Sequence, residues 1–148
     1  HVIPPLRSVQ DRMALRKAVA DNTIAAICSD HQPHDQDAKL GPFPSCDPGI
    51  SGLETLLPLV LGLVKENVVD LSTALARITC GPAGILGINA GSIAAGDPAD
   101  ICIFDPEKQW TLCDDTIISN GKNNPWLLKE LTGQVQFTLV DGEVVFER

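Results

Sequence analysis

Asp30, His31, His34, Asp35 and Asp37 crowd into one short stretch, Ser29-Asp30-His31-Gln32-Pro33-His34-Asp35-Gln36-Asp37. A carboxylate in such a cluster can ligate a divalent cation and take a proton from a cation-bound water. A histidine four positions later can aim a ring N–H at an anionic group. One Asp and two His do not close a metal site, because three or four protein ligands are usual for zinc. With Pro33 between them, His31 and His34 do not form the helical HExxH zinc pattern either. On these residues alone the cluster fits two roles equally. It is either a catalytic carboxylate with supporting histidines or a turn whose side chains cap backbone groups.

The elements that must position the cluster begin with Ser8 to Ala20, where Met13, Leu15, Ala18 and Val19 recur at roughly helical spacing. Ser8 suits the N-cap of that helix and Asp11 its first turn. Asp21-Asn22-Thr23 ends it. Ile24-Ala25-Ala26-Ile27-Cys28 then reads as a short buried strand, its unbroken apolar run suiting a parallel strand covered on both faces. The cluster falls at the C-terminal end of that strand, where parallel α/β folds build their sites. Val2 and Ile3 read as the end of an earlier strand, closed by Pro4-Pro5.

Beyond the cluster, 35–51 is a long loop rich in Pro and Gly, of the kind that lines a site. Helices are predicted from Leu53 to Glu66, with Pro58 tolerated near the first turns, and from Ser72 to about Cys80. The second is capped by Asp70 or Ser72 and stopped at Gly81-Pro82, with a short helix toward Leu86. From Ile88 the texture changes to short strand-like runs over 99–105, 135–140 and 143–147. Asp141-Gly142 between the last two is a two-residue hairpin signal. The pattern predicts an α/β part over 1–87 and a small β part over 88–148.

With 148 residues, 44% of them hydrophobic, the chain can bury a core, and its formal charge of −8 argues against nucleic acid as a partner, since phosphate binding needs a basic face. The longest apolar run, Leu56 to Val64, falls well short of the roughly 20 residues a membrane span needs. Cys28, Cys46, Cys80, Cys102 and Cys113 show no CxxC pairing and several sit in apolar runs. They are expected to be reduced, mostly buried thiols of a cytoplasmic protein. Starting at His1, straight into strand-like residues, the chain reads as a piece of a longer protein.

Taken together, Pro4-Pro5-Leu6-Arg7, Asp11-Arg12, Ser29 to His34, Lys39, Pro48-Gly49-Ile50 and Gly52-Leu53-Glu54-Thr55-Leu56-Leu57-Pro58-Leu59 resemble the dihydroorotases of the amidohydrolase superfamily. The likeness continues through Gly91-Ser92-Ile93, Gly96-Asp97-Pro98-Ala99-Asp100-Ile101, Asn123-Asn124-Pro125 and the final hairpin, so it covers nearly all of the chain in order and spacing. Dihydroorotases tend to carry His four positions after the aspartate, where hydantoinase-like and allantoinase-like relatives tend to carry Phe or Cys. Here it is His34.

The resemblance implies an α/β fold: the C-terminal part of a (β/α)8 metal-dependent hydrolase barrel over 1–87, plus the C-terminal half of a small β-sandwich domain over 88–148. It implies a zinc-dependent enzyme that interconverts N-carbamoyl-L-aspartate and L-dihydroorotate in pyrimidine synthesis. The zinc site would be binuclear in the full-length protein and not held by this piece alone. By its matching position Asp30 would be the last-strand metal ligand and the general acid/base. It would take the proton during attack on the amide carbonyl and deliver it to the leaving nitrogen. His34 would bind the substrate carboxylate, and the backbone at Pro48 and Gly49 would border the ring. His31 is expected to support the site structurally, and Asp35, Asp37 and Lys39 to be solvated loop charges.

The partners implied are a small-molecule substrate, the remainder of the chain's own barrel, and either further copies of itself or aspartate transcarbamoylase. The family's His-x-His pair, carboxylated Lys and two further His ligands lie outside this chain, as do the Arg and Asn that grip the carboxylate. The piece alone is therefore expected to be inactive, and its unpaired sheet edges to leave it insoluble, swapped or complexed. One departure stands out. Ile3 occupies the position where catalytic dihydroorotases commonly carry an Asn that touches substrate, and the lost hydrogen bond costs roughly 1–3 kcal/mol. That opens an alternative, a non-catalytic dihydroorotase-like partner of aspartate transcarbamoylase. A hydantoinase-like or allantoinase-like cyclic amidase is the third reading.

Overall fold

Ser8 caps the first helix, α1 (Val9–Ala20), as the sequence predicts. Its Oγ accepts from the Asp11 N–H at 3.3 Å while the Asp11 carboxylate accepts the Ser8 N–H at 3.0 Å, a reciprocal capping box. The computed structural model describes residues 1–148, the side chain of Gln36 apart. Of the apolar positions on α1, Val19 is buried, whereas Met13 and Leu15 are 64% and 58% exposed. No other described element packs extensively on that face. The C-terminal end of α1 is held by the buried Arg77, whose Nε and Nη2 donate to the Val19 carbonyl at 3.2 and 3.0 Å.

Ile24 to Cys28 departs from the expected buried strand. Ile24–Ile27 are half-buried, Cys28 is exposed, and the segment joins no ladder among the described residues. It is tied instead by the Ile24 N–H, donated to the Ala18 carbonyl at 2.9 Å, and the Ile27 N–H, donated to the Arg77 carbonyl at 2.8 Å. Val2 and Ile3 likewise form no strand. The physical reason is shared. A parallel strand needs partners from neighbouring βα units, and every multi-residue ladder among the described residues is antiparallel.

Three helices follow. α2 (Leu56–Lys65) starts after a turn over 53–55 and holds Pro58 in its first turn, where the missing N–H is no loss. α3 (Leu71–Ala76) is capped by Asp70, whose carboxylate accepts from the Thr73 N–H at 2.6 Å. α4 (Cys80–Leu86) contains Gly81 and Pro82 in its first turn, so these residues begin a helix instead of stopping one. Proline is favoured at a helix's first turn as well as just past a helix end, and here it takes the first of these places. Among the described residues no helix is long and apolar enough to cross a membrane.

The remaining regular structure is one antiparallel sheet in the order β1 (Ile101–Thr111), β2 (Glu130–Val140), β3 (Glu143–Glu147). β1 runs beyond the predicted 99–105 because the ladder accommodates Pro106 by a bulge between Asp105 and Gln109. Asp105 covers the irregularity by accepting from the Glu107 and Lys108 N–H groups at 2.9 and 3.1 Å. β2 and β3 meet at Asp141-Gly142, both with positive φ (49° and 83°), the geometry that the hairpin signal predicts. Leu112, Ile117 and Leu131 form a buried cluster, with Trp110, Trp126 and Leu127 packed against it. α2 lies on β2, and a Cβ on Gly133 (φ 94°) would sit 2.3 Å from Leu61 Cδ1. Glycine is what lets helix and strand approach there.

The cysteines correct another expectation. Cys28, Cys80 and Cys102 are exposed and Cys46 and Cys113 half-buried, all five free. Apolar neighbours in sequence do not bury a thiol when the face it points to is uncovered.

Candidate functional site

Asp30 follows the irregular 24–29 segment, exposed and with its φ at 44°. That left-handed conformation is uncommon outside glycine, and Asp is among the residues that reach it most readily. His31 follows at once and forms an isolated parallel bridge with Ile50, the Gln32 N–H donating to the Ile50 carbonyl at 2.9 Å. His31 Nδ1 accepts from the Gly52 and Leu53 N–H groups at 3.0 and 3.3 Å, so the ring proton lies on Nε2, 3.4 Å from Ser119 Oγ. Nδ1 thus fixes the turn that leads into α2, while Nε2 faces Ser119.

His34 is half-buried, and its Nε2 donates to the Pro48 carbonyl at 2.9 Å. This brings three of the sequence-expected site residues together: His34 directly against Pro48, with Gly49 next in the chain. Gly49 is buried with φ at 115°, and a Cβ there would lie 2.4 Å from Gln32 Oε1 and 2.6 Å from Gln32 Cβ. Only glycine fits that bend. Among the described residues Asp30 makes no hydrogen bond with the trio.

The loop over 35–51 is more ordered than a simple cover. It contains short 3-10 turns at Gln36–Lys39 and Phe43–Ser45. Asp35 and Asp37 are exposed, in keeping with solvated charges. Lys39 is not a solvated charge. Half-buried, it donates to the Asp47 carbonyl and, at 2.9 Å, to the Gly49 carbonyl, clamping the two arms of the loop.

Two residues that sequence reading gave no role complete the arrangement. Asn123 spans Gln32, His34 and Gly49 with its carboxamide. The buried Asn124 donates to the Ser51 carbonyl at 2.6 Å and accepts the Trp126 N–H at 2.8 Å. Their one sequence signal was the Asn-Asn-Pro string itself, a turn signature that carries no long-range address. Nearby, Glu54 Oε1 accepts from the Ile118 and Ser119 N–H groups at 3.1 and 2.7 Å, while Oε2 is buried without a partner among the described residues. That side chain and His31 help line a cavity of about 400 Å³ beside α2 and the sheet.

Can these residues hold the expected zinc? Among the described residues no group of three or more His, Cys, Asp or Glu side chains is gathered tightly enough to bind a metal. Both nitrogens of His31 are committed, and Asp30 stands alone. The donors of this chain do not by themselves fit a zinc site.

The model of the amidohydrolase family matches residues 3–145. The chain belongs to the amidohydrolase family. Its relatives include a dihydroorotase-like protein of Pseudomonas aeruginosa, 48% identical over 147 residues, which cover 99% of this chain and 34% of that protein. A dihydroorotase of Geotalea daltonii is 43% identical, over 98% of this chain and 34% of that protein. Among solved structures, an L-hydantoinase (dihydropyrimidinase) from Arthrobacter aurescens superposes with a TM-score of 0.87 at 28% identity, over 99% of this chain and 34% of that one.

This amidohydrolase chain thus spans about a third of the length of the curated relatives it matches. The resemblance to dihydroorotases is borne out, as is the reading of the chain as a piece of something longer. Its α/β content and small antiparallel sheet are an amidohydrolase-family fold shared with hydantoinases.

Proposed function

We propose that the whole protein, of which this chain is a part, is a dihydroorotase-type hydrolase that opens and closes the ring of L-dihydroorotate, with N-carbamoyl-L-aspartate as the open form. In this reading 1–87 complete a (β/α)8 barrel and 88–148 a small β-sandwich domain. Ile24–Cys28 pair with parallel strands from outside 1–148 and carry Asp30 at the strand end. Asp30 takes the proton of the attacking water and returns it to the leaving ring nitrogen. His34 meets the substrate carboxylate. With Nε2 donating to Pro48, Nδ1 is the ring nitrogen left to face that carboxylate. The backbone at Pro48 and Gly49 borders the ring. A binuclear zinc site belongs to the proposal for the whole protein, with Asp30 as this chain's contribution and the other ligands drawn from outside 1–148.

The observation that carries the reading is the direct contact of His34 with Pro48, in a chain whose relatives include proteins named dihydroorotase. Two segments expected to share one substrate are tied by a 2.9 Å hydrogen bond across a long loop. The five free thiols fit a cytoplasmic enzyme.

A specific observation favours a second reading, a non-catalytic partner of aspartate transcarbamoylase. Ile3, 65% exposed, has no group with which to replace an Asn on the substrate, and the 48%-identical relative is named dihydroorotase-like. The test is ring opening of dihydroorotate by the whole protein, compared with hydantoin as substrate. We expect dihydroorotate turnover that falls about 10²–10⁴-fold in Asp30→Ala. Preferential hydantoin turnover overturns the substrate assignment. An absence of turnover with co-elution on aspartate transcarbamoylase establishes the second reading instead.

A further inference from the structure

We propose that Asn123 is a positioning residue for the substrate-facing groups, a role that rests on the dihydroorotase-type reading for its functional consequence. One planar carboxamide spends three of its four hydrogen-bonding sites on two separate chain segments. Oδ1 accepts the His34 N–H at 2.9 Å, and Nδ2 donates to the Gln32 carbonyl at 3.0 Å and the Gly49 carbonyl at 3.2 Å. The backbone carbonyl of Asn123 accepts the Ser51 N–H at 3.2 Å. The residue therefore rivets 32–34 to 49–51.

Neither segment has a helix or a continuous ladder to hold it. Between them run a single isolated bridge at His31 and Ile50 and the His34–Pro48 bond. Backbone groups in such half-buried irregular chain must find partners, and Asn123 supplies three through its carboxamide and a fourth through its own carbonyl. Its own place is fixed by close packing, because a Cβ on Gly121 would lie 2.5 Å from Pro33 Cα and 2.8 Å from His34 N. Since every polar atom of the carboxamide faces protein backbone, Asn123 acts through His34 and Gly49 and not on substrate. Its loss must misplace the carboxylate-binding and ring-bordering groups more than the proton-carrying Asp30, which it does not touch.

The experiment uses the whole protein with Asn123→Ala and Asn123→Asp. The Asp variant keeps an acceptor for the His34 N–H but sets a carboxylate oxygen against two carbonyls, so it should lose at least as much as the Ala variant. We expect KM for dihydroorotate to rise about tenfold or more with kcat changed by less than about threefold. Hydrogen exchange without substrate should show protection lost at 32–34 and 49–51 and kept in β2. An unchanged KM overturns the inference, as does an equal fall in kcat and thermal stability at constant KM, the mark of a merely structural side chain. If the wild type turns over nothing, the dihydroorotase reading fails separately. The exchange pattern then decides: loss confined to the two segments upholds the rivet, and no change or a global loss overturns it.

Discussion

The sheet of residues 101–147 and the irregular chain around Asp30 solve the same problem, partners for backbone N–H and C=O groups, in opposite ways. In the sheet each strand bonds the next one along the chain, and the 112–131 stretch buries Leu112, Ile117 and Leu131 beside it. Around Asp30 the pairing is done by side chains reaching across sequence: His31 to Gly52, His34 to Pro48, Lys39 to Gly49, Asn123 to Gln32 and Asn124 to Ser51. The apolar residues differ in parallel. Leu112 is fully buried, while Met13, Leu15 and Leu53 stand exposed. An antiparallel meander pairs its strands with neighbours along the chain, whereas 24–28 joins no ladder among the described residues.

Substitutions can break or sharpen that contrast. Leu112→Ala should cost about 2–5 kcal/mol in urea unfolding, since it opens a cavity in the self-sufficient half. A smaller loss would mean that the cluster is not a core. Asn124→Ala should cost about 1–3 kcal/mol by leaving the buried Ser51 carbonyl unpaired, which equilibrium unfolding also reads. Met13→Ala should change the stability of 1–148 by no more than about 0.5 kcal/mol, because the side chain covers nothing there. A loss comparable to Leu112→Ala would show that this face is already buried.

The smallest effect is a pH dependence. The Thr73 N–H, and then its hydroxyl, hold the Asp70 carboxyl below its ordinary value. A depressed folded-state pKa stabilises fully above the unfolded value, and that contribution disappears as pH falls through the folded one. Thermal melts should therefore show an acid-limb loss that Asp70→Asn makes smaller, with the share due to the lowered Asp11 and Asp21 carboxyls remaining. An identical acid limb in the variant would remove Asp70 from the account.

Local signals were legible in the sequence. Ser8 with Asp11, Asp70 before α3 and Asp141-Gly142 each fix their own element by contacts within three residues, and the structure forms all three. Signals that depend on distant partners were not. Ile24–Cys28 has strand composition but joins no ladder among the described residues, and Gly81-Pro82 looked like a stop because proline at a helix start and after a helix end reads alike. At the candidate site, a resemblance carried by many segments at once singled out His34, Pro48 and Gly49, and the structure sets His34 against Pro48. Lys39 and Asn123 were missed as clamps because a side chain that bonds backbone far along the chain leaves no periodicity or spacing to read.

Every role proposed for Asp30 requires that 24–28 become a paired strand once the rest of the protein is present. Hydrogen exchange of the whole protein beside residues 1–148 alone measures this directly. The amides of Ile24–Cys28 should exchange as slowly as those of β2 in the whole protein and rapidly in the shorter chain, with β2 protected in both. Rapid exchange at 24–28 in the whole protein would leave Asp30 on an unpaired loop and contradict the account.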